Sequence, residues 1–546
     1  MASTSNRTNT AEISSDQGYR FTVLGDDFIL NPATGQAFPV SGPCGVQPSE
    51  LADLGFLRVP DLETTDQDFA PTQLGSVLFN LTHDCNLACV YCIMGLSGLR
   101  EHYILGNKAM DEATGKQAID LLASRNFEHV SLTFFGGEPL LEFALLRALV
   151  EYAEDRHPAR FSFQLITNAT LLRPSMFSFF KRHNFSFLIS LDGDKKSHDQ
   201  LRCFKNNAES VFDQAFTNYL ALREALPQAE IGINVTFFRQ NLDLAETVRF
   251  FRSRNVSKIR MDRGLVPTDG QYAVTLKHAD KLRSELVTLA RDYHDFLMAG
   301  DIFVLNPFVN YMRVLAKRLP RYRACNSGID YITIASNGDV YPCYKLLGVQ
   351  RCRMGDVATG YDDGYAREMW EHNVLTRSEC SGCFARTICA GGCVADNYHI
   401  NADFYAPARE NCFIFRQAIR LSIWLFFSLE CKAPHVLKKL FGWEYLLGDE
   451  KPKSGPISVE ETQGGYCLRP GNGGVYFINS TARLLFDLCD GSTSVESMSA
   501  ILSERWGISH RLARMDVTEQ LMRLHKAGCV DLNSPSPACR KSEECR

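Results

Sequence analysis

The stretch Leu81-Thr82-His83-Asp84-Cys85-Asn86-Leu87-Ala88-Cys89-Val90-Tyr91-Cys92 decides how the rest of the chain reads. It sets three thiols, Cys85, Cys89 and Cys92, on a short loop directly after the apolar run Val77 to Leu81, which reads as a strand. Three thiolates so placed hold three corners of an iron–sulfur cube, whereas a closed structural zinc site normally takes a fourth protein ligand. An open iron at the fourth corner can chelate a small molecule, the alternative being a zinc knuckle with a remote fourth ligand.

Outward from this loop, strand-like runs recur at Val130 to Phe135, Phe161 to Ile166, Phe185 to Leu191, Ile231 to Phe237 and Lys258 to Asp262. Ile231, Ile233, Val235 and Phe237 alternate with Gly232, Asn234 and Thr236, the period of a two-faced strand. Between the runs lie helical spacings such as Phe212, Phe216 and Tyr219, or Ala118 and Leu122. Strand then helix, six times over, predicts an α/β fold with a parallel sheet, either a barrel or open. Chemistry in such folds gathers at the carboxyl ends of the strands. Those ends carry Phe135-Gly136-Gly137-Glu138-Pro139, Thr167-Asn168 and Ser190-Leu191-Asp192-Gly193. Two glycines let the backbone approach a ligand closely, and Glu138 can accept from an ammonium group.

Cys85-x3-Cys89-x2-Cys92 after a first βα strand, followed one unit later by Gly136-Gly137-Glu138-Pro139, resembles the radical SAM superfamily. The resemblance implies a partial (β/α)6 barrel and S-adenosylmethionine (SAM) chelating the open iron of a [4Fe–4S] cluster. It implies reductive cleavage of SAM to a 5'-deoxyadenosyl radical that abstracts hydrogen from an unactivated C–H bond. By the same resemblance Gly136, Gly137, Glu138 and Pro139 bind the SAM amino group, Ser190 and Arg202 hold its ribose or carboxylate, and Asn168 and Asn234 line the site. The protein's own part would be positioning and exclusion of solvent.

A second constellation, Cys325-x12-Gly338-x4-Cys343, then Cys380-x2-Cys383-x5-Cys389-x3-Cys393 and finally Cys412, resembles the seven-cysteine SPASM extension of radical SAM enzymes that act on peptides and proteins. It implies one auxiliary [4Fe–4S] cluster on Cys380, Cys383, Cys389 and Cys412 and another on Cys325, Cys343 and Cys393, making three clusters in all. The fullest family pattern has a further cysteine shortly before the first, but Lys317 to Ala324 contains none. Either Cys352 completes that cluster, or one iron is open to a substrate thiolate or another donor. The remaining cysteines read as small buried residues or free thiols, with Cys203 placed to face the site. Asp262 and Arg263, ending the sixth strand, are candidate substrate-facing groups.

Three short strands, Ile457 to Glu460, Tyr466 to Leu468 and Val475 to Ile478, precede helical stretches Ser480 to Cys489, Ser494 to Arg505 and Arg511 to Lys526. Asn479-Ser480-Thr481 supplies a helix N-cap and Cys489-Asp490-Gly491 a stop. This unit resembles the peptide chaperone of pyrroloquinoline quinone biosynthesis, whose fused relatives bind a leader peptide as an added edge strand, here beside Val475 to Ile478. The expected organisation is a tail and small β-rich unit (1–73), a radical SAM core (74–305), a SPASM unit (306–432), a linker (433–455), a winged, leader-binding unit (456–533) and a tail (534–546).

The chain has 546 residues, enough for two to four domains, and 58 Lys+Arg against 63 Asp+Glu, a balance that argues against nucleic acid as a partner. Leu421 to Leu429 is too short for a membrane span and the polar start shows no secretory signal, so the expectation is a cytoplasmic, membrane-free protein. Together these features predict a radical SAM oxidoreductase that modifies a ribosomal precursor peptide captured through its leader, with a flavodoxin or ferredoxin as electron donor. A thioether or other intrapeptide cross-link ranks first among its products. The alternatives are a maturase of the anaerobic sulfatase or amine dehydrogenase type, or a non-catalytic iron–sulfur electron carrier or peptide-binding scaffold.

Overall fold

The computed structural model describes residues 18–42, 45–46, 75–92, 109–125, 129–317, 320–442, 445–462, 465–470, 475–508 and 510–532. Both expected tails, together with Cys44, Cys539 and Cys545, lie outside the described residues.

Three antiparallel strands come first: β1 (Tyr19–Val23), β2 (Asp26–Leu30) and β3 (Ala37–Pro39). Seven parallel strands follow: β4 (Ser76–Thr82), β5 (Val130–Gly136), β6 (Phe161–Thr167), β7 (Ser186–Ser190), β8 (Ile231–Phe237), β9 (Lys258–Arg263) and β10 (Val304–Asn306). They are neighbours in sequence order, as βα crossovers require. Their outward-facing residues, among them Phe79, Phe134, Leu165, Phe187 and Ile233, are buried beneath the helices. Asp111 starts the first of these helices, Glu112–Ser124, by accepting from the Thr114 amide at 2.7 Å, and Ser210 does the same for Val211–Ala225.

The repeat runs further than its six sequence-predicted units. β10 adds a seventh parallel strand, and helix Phe308–Lys317 follows it across the expected boundary at 305. Their brevity hides them: three residues are too few to show a period. β11 (Tyr331–Ile334) and β12 (Asp339–Tyr341) form a hairpin, and β11 also pairs in parallel with β4. The cysteine-rich unit therefore shares one sheet with the barrel, continued by β13 (Gly355–Asp356) and β14 (Gly360–Tyr361).

Leu421 to Leu429 belongs to helix Arg409–Lys432, which by length and composition alone could cross a membrane. Its Leu421, Ile423, Leu425, Phe426 and Leu429 instead pack in the main core, worth about 1.5–3 kcal/mol for each such side chain. Within the stretch expected as a linker, Pro434–Phe441 is a helix, with Pro at its start and Val436, Leu437 and Phe441 buried in the same core.

The last unit pairs β15 (Lys453–Ser454) with β19 (Val530–Asp531) and stacks β16 (Ser458–Thr462), β17 (Gly465–Arg469) and β18 (Tyr476–Ile478) antiparallel. Helices Ser480–Leu488, Val495–Trp506 and His510–Lys526 enclose a core of their own with Leu468, Leu485, Val495, Leu502 and Leu521. Asn479 accepts from the Ala482 amide at 2.9 Å as the predicted cap. The first sheet lies between the two bodies. Phe28 and Leu30 of β2 join the main core, where Phe28 packs against Phe427, while the intervening Ile29 packs with Phe38, Val46 and Met515 of the last helix.

Candidate functional site

The loop bearing Cys85, Cys89 and Cys92 leaves the carboxyl end of β4 and lies as a ribbon along residues 201–205. Ala88 and Val90 donate to the carbonyls of Cys203 (2.7 Å) and Leu201 (3.0 Å), and Lys205 donates back to Asn86 (3.2 Å). The Leu87 amide and the Asn168 side-chain amide reach Cys85 Sγ at 3.4 and 3.8 Å. Burial pushes the Cys85 thiol up to about 11 and the Cys89 thiol up to about 12. By themselves these groups stay protonated; a bound cationic core is what deprotonates such thiols. Among the described residues no three His, Cys, Asp or Glu side chains converge on a single ion. A cube fits this wider spacing because each thiol takes an iron of its own.

The glycines of Gly136-Gly137-Glu138-Pro139 have a more local cause than ligand approach. A Cβ on Gly136, at φ +145°, would stand 2.3 Å from the Thr82 carbonyl oxygen, and one on Gly137 would stand 2.1 Å from that of Asp84. Gly137 and Glu138 also donate to Thr82 and Asp84 at 2.7 and 2.9 Å, stitching the end of β5 to the root of the cysteine loop. The Glu138 carboxylate is fully buried. It accepts from the Leu140 amide (3.1 Å), the Thr167 hydroxyl (2.7 Å) and the Asn168 amide (2.9 Å), so the acceptor expected to meet an ammonium group is engaged by its own chain. Pro139 opens the short helical turn that follows.

Burial raises Glu138 from 4.5 to about 7 against the pull of those three donors. A carboxyl raised on folding binds its proton more tightly in the native state, so stability falls as pH rises between those two values, by about 3 kcal/mol in all. Glu138→Gln is expected to flatten that fall in denaturant titrations across this range; an unchanged slope would assign the pH dependence elsewhere.

Arg202 is held by a partner the motif reading left out. Its Nε and Nη2 donate to Asp192 at 2.8 and 3.1 Å, and the same carboxylate accepts from the Tyr91 hydroxyl (2.5 Å) and the Thr236 amide (2.9 Å). Burial alone would raise the Asp192 carboxyl, but the Arg202 charge and these donors outweigh it and hold it below the usual range. Tyr91 belongs to the cysteine loop, and its ring packs on Phe238 with centroids 4.4 Å apart. Asp192 thus ties the end of β7 to the loop. Ser190 and Asn234 are register partners on β7 and β8, and Arg260 of β9 continues the row on the half-buried face. Cys203, read as a free thiol that could face the site, is exposed and donates to the Ala88 carbonyl at 3.1 Å.

The other cysteines assemble in two groups. Cys380, Cys383, Cys389 and Cys412 line one cavity together with Arg416, and burial with mutual repulsion pushes Cys389 up to about 12. Cys325, Cys343 and Cys393 lie within electrostatic reach of one another, and burial raises all three. Cys352 is 1% exposed inside the main core, within reach of Cys343. Two charged residues that spacing did not reveal sit in the second group: Lys345 Nζ lies 2.7 Å from Asp396, whose other oxygen accepts from Asn411 at 3.1 Å. Asn411 accepts in turn from Arg263 Nε at 2.7 Å, so Arg263 braces the barrel against the cysteine unit. Asp262 pairs with Arg260. Of the remaining cysteines, Cys467, Cys489 and Cys529 are buried in the last unit. Cys431, expected to be a free or buried thiol, is disulfide-bonded.

Residues 79–251 match the radical SAM superfamily model and residues 466–530 the model of coenzyme PQQ synthesis protein D (PqqD). The mycofactocin maturase MftC of Mycolicibacterium smegmatis is 26% identical over 347 residues, 61% of this chain and 81% of that protein. A cysteine-type anaerobic sulfatase-maturating enzyme of Clostridium novyi is 23% identical over 335 residues, 57% of this chain and 85% of that enzyme. The solved structure of anSMEcpe with bound AdoMet shares the fold, with a TM-score of 0.58 at 17% identity, over 67% of this chain and 97% of that one.

Proposed function

From a chain that is a radical SAM protein of the SPASM maturase type and carries a PqqD domain, we propose an enzyme that captures the leader of a ribosomally made precursor peptide and modifies the residues that follow it. Cys85, Cys89 and Cys92 hold the cluster that binds SAM. Cys380, Cys383, Cys389 and Cys412 hold one auxiliary cluster; Cys325, Cys343 and Cys393 hold the other. When bound, SAM and its cluster supply a 5'-deoxyadenosyl radical able to take hydrogen from the peptide. Around them, Asp192 aims Arg202, the Gly136-Gly137 backbone fixes the root of the loop, and the Ser190, Asn234 and Arg260 row presents polar groups at the barrel mouth. An external flavodoxin or ferredoxin delivers electrons. The bond formed is a thioether or other intrapeptide cross-link.

The observation that carries this reading is the free edge of the PqqD sheet. Among the described residues β18 pairs in that sheet with β17 alone, and its Phe477 is 75% exposed. An edge strand displaying a large aromatic side chain is a template for an added peptide strand. With a fluorescent synthetic leader from a short reading frame beside the gene, Phe477→Asp is expected to weaken binding about tenfold or more, that is by at least about 1.4 kcal/mol. Unchanged affinity would remove β18 as the docking edge. Mass analysis of the co-expressed peptide then names the bond: a loss of two hydrogens supports a cross-link, and an unchanged mass points to epimerisation. The likeness to the sulfatase-maturating enzyme favours a second reading, modification of a protein substrate, and predicts turnover of a sulfatase-derived peptide without any leader.

A further inference from the structure

Lys345 has no part in the reading above, yet its surroundings are costly to build. It follows Cys343 by two residues, its backbone amide donates to Cys343 Sγ at 3.4 Å, and its ammonium is half-buried with Nζ 2.7 Å from Asp396. Asp396 is the counter-charge that meets this ammonium. The ammonium also lies within electrostatic reach of Cys325, Cys343 and Cys393. Asp396, 7% exposed, is fixed on its far side by Asn411, which Arg263 anchors to the barrel. A buried ion pair adds little stability over apolar side chains of similar volume, so its persistence here asks for another role.

We propose that Lys345 is a redox-tuning residue of the cluster on Cys325, Cys343 and Cys393, with Asp396 as the counter-charge that moderates it. Each added electron increases the negative charge of an iron–sulfur cluster, and nearby charge and hydrogen bonds to sulfur set its potential. A fixed positive charge inside protein, where screening is weak, favours the reduced form and raises the potential. The proposal rests on the reading that these three cysteines hold a cluster.

The test is an EPR-monitored redox titration of the anaerobically reconstituted full-length chain, with iron content measured in parallel. Lys345→Gln is expected to lower the midpoint of one auxiliary signal so that the reduced-to-oxidised ratio at a fixed potential falls about tenfold, about 59 mV for one electron. Asp396→Asn, which leaves Lys345 without its counter-charge, is expected to move the same signal the opposite way, and Lys345→Arg to leave it in place. Unmoved midpoints in both charge-removing variants, at unchanged iron content, overturn the tuning role. If Lys345→Gln loses iron, Asp396→Asn alone decides. Cys343→Ala with full iron content overturns the premise instead, a distinguishable failure.

Discussion

Cys89→Ala is expected to bring 5'-deoxyadenosine formation, assayed anaerobically with SAM and reductant, down to background. The loss should be at least about 10⁶-fold, the low end of what enzymes contribute over the uncatalysed reaction. Cys89 is the most buried thiol of its loop, 8% exposed, and the neighbouring Ala88 and Val90 amides are tied to the carbonyls of Cys203 and Leu201. Far-UV circular dichroism should be unchanged, because the ribbon is held by backbone bonds that alanine keeps. Retained turnover in a folded Cys89→Ala protein, with the leader and precursor supplied, would remove the loop from the chemistry, whereas no 5'-deoxyadenosine from the cluster-loaded parent chain would favour the scaffold reading.

The second large effect lies at Asp192. Asp192→Ala leaves the Arg202 guanidinium, 9% exposed, without its counter-charge and strips the Tyr91 hydroxyl and Thr236 amide of their acceptor. Breaking one side of a buried ion pair costs about 3–5 kcal/mol. Loosening Tyr91 should also unseat the loop, so iron retained at the first site should fall along with the denaturation midpoint. Asp192→Ala/Arg202→Met, which removes both charges, is expected to regain much of the stability. If the single variant were as stable as the parent, the hub would be incidental.

Parts of the molecule were legible because the sequence signal is local. Cysteine spacings are set by short loops, and strands such as Ile231–Phe237 alternate cleanly in residue type. The cap at Asn479 and the stop at Cys489 announce a helix at each end, and the last unit's elements accordingly fall within a few residues of expectation. What stayed hidden depends on distant partners. β11 joins β4 across some two hundred and fifty residues of chain, a register that no local pattern carries. Asp192 was visible as part of a strand-end motif, but its bond to Arg202 required the turn of helix Lys195–Asp199 that brings them together. Lys345 and Asp396 look like ordinary surface charges until the short turn Tyr344–Leu346 and helix Val394–Asn401 place them face to face. Gly136 and Gly137 were legible as a requirement but not in their cause, since the oxygens that demand them belong to β4 and its loop.

The small sheet of β1 to β3 turns the distance between two sites into a measuring device. With β2 packed against helix Arg409–Lys432 on one face and Met515 on the other, this sheet bridges the body that holds the barrel and the body that holds β18. A peptide anchored on β18 then reaches the barrel at high effective concentration only if its spacer matches that span. On the proposed function, residues of the precursor would then be chosen by counting from the leader as much as by their own chemistry.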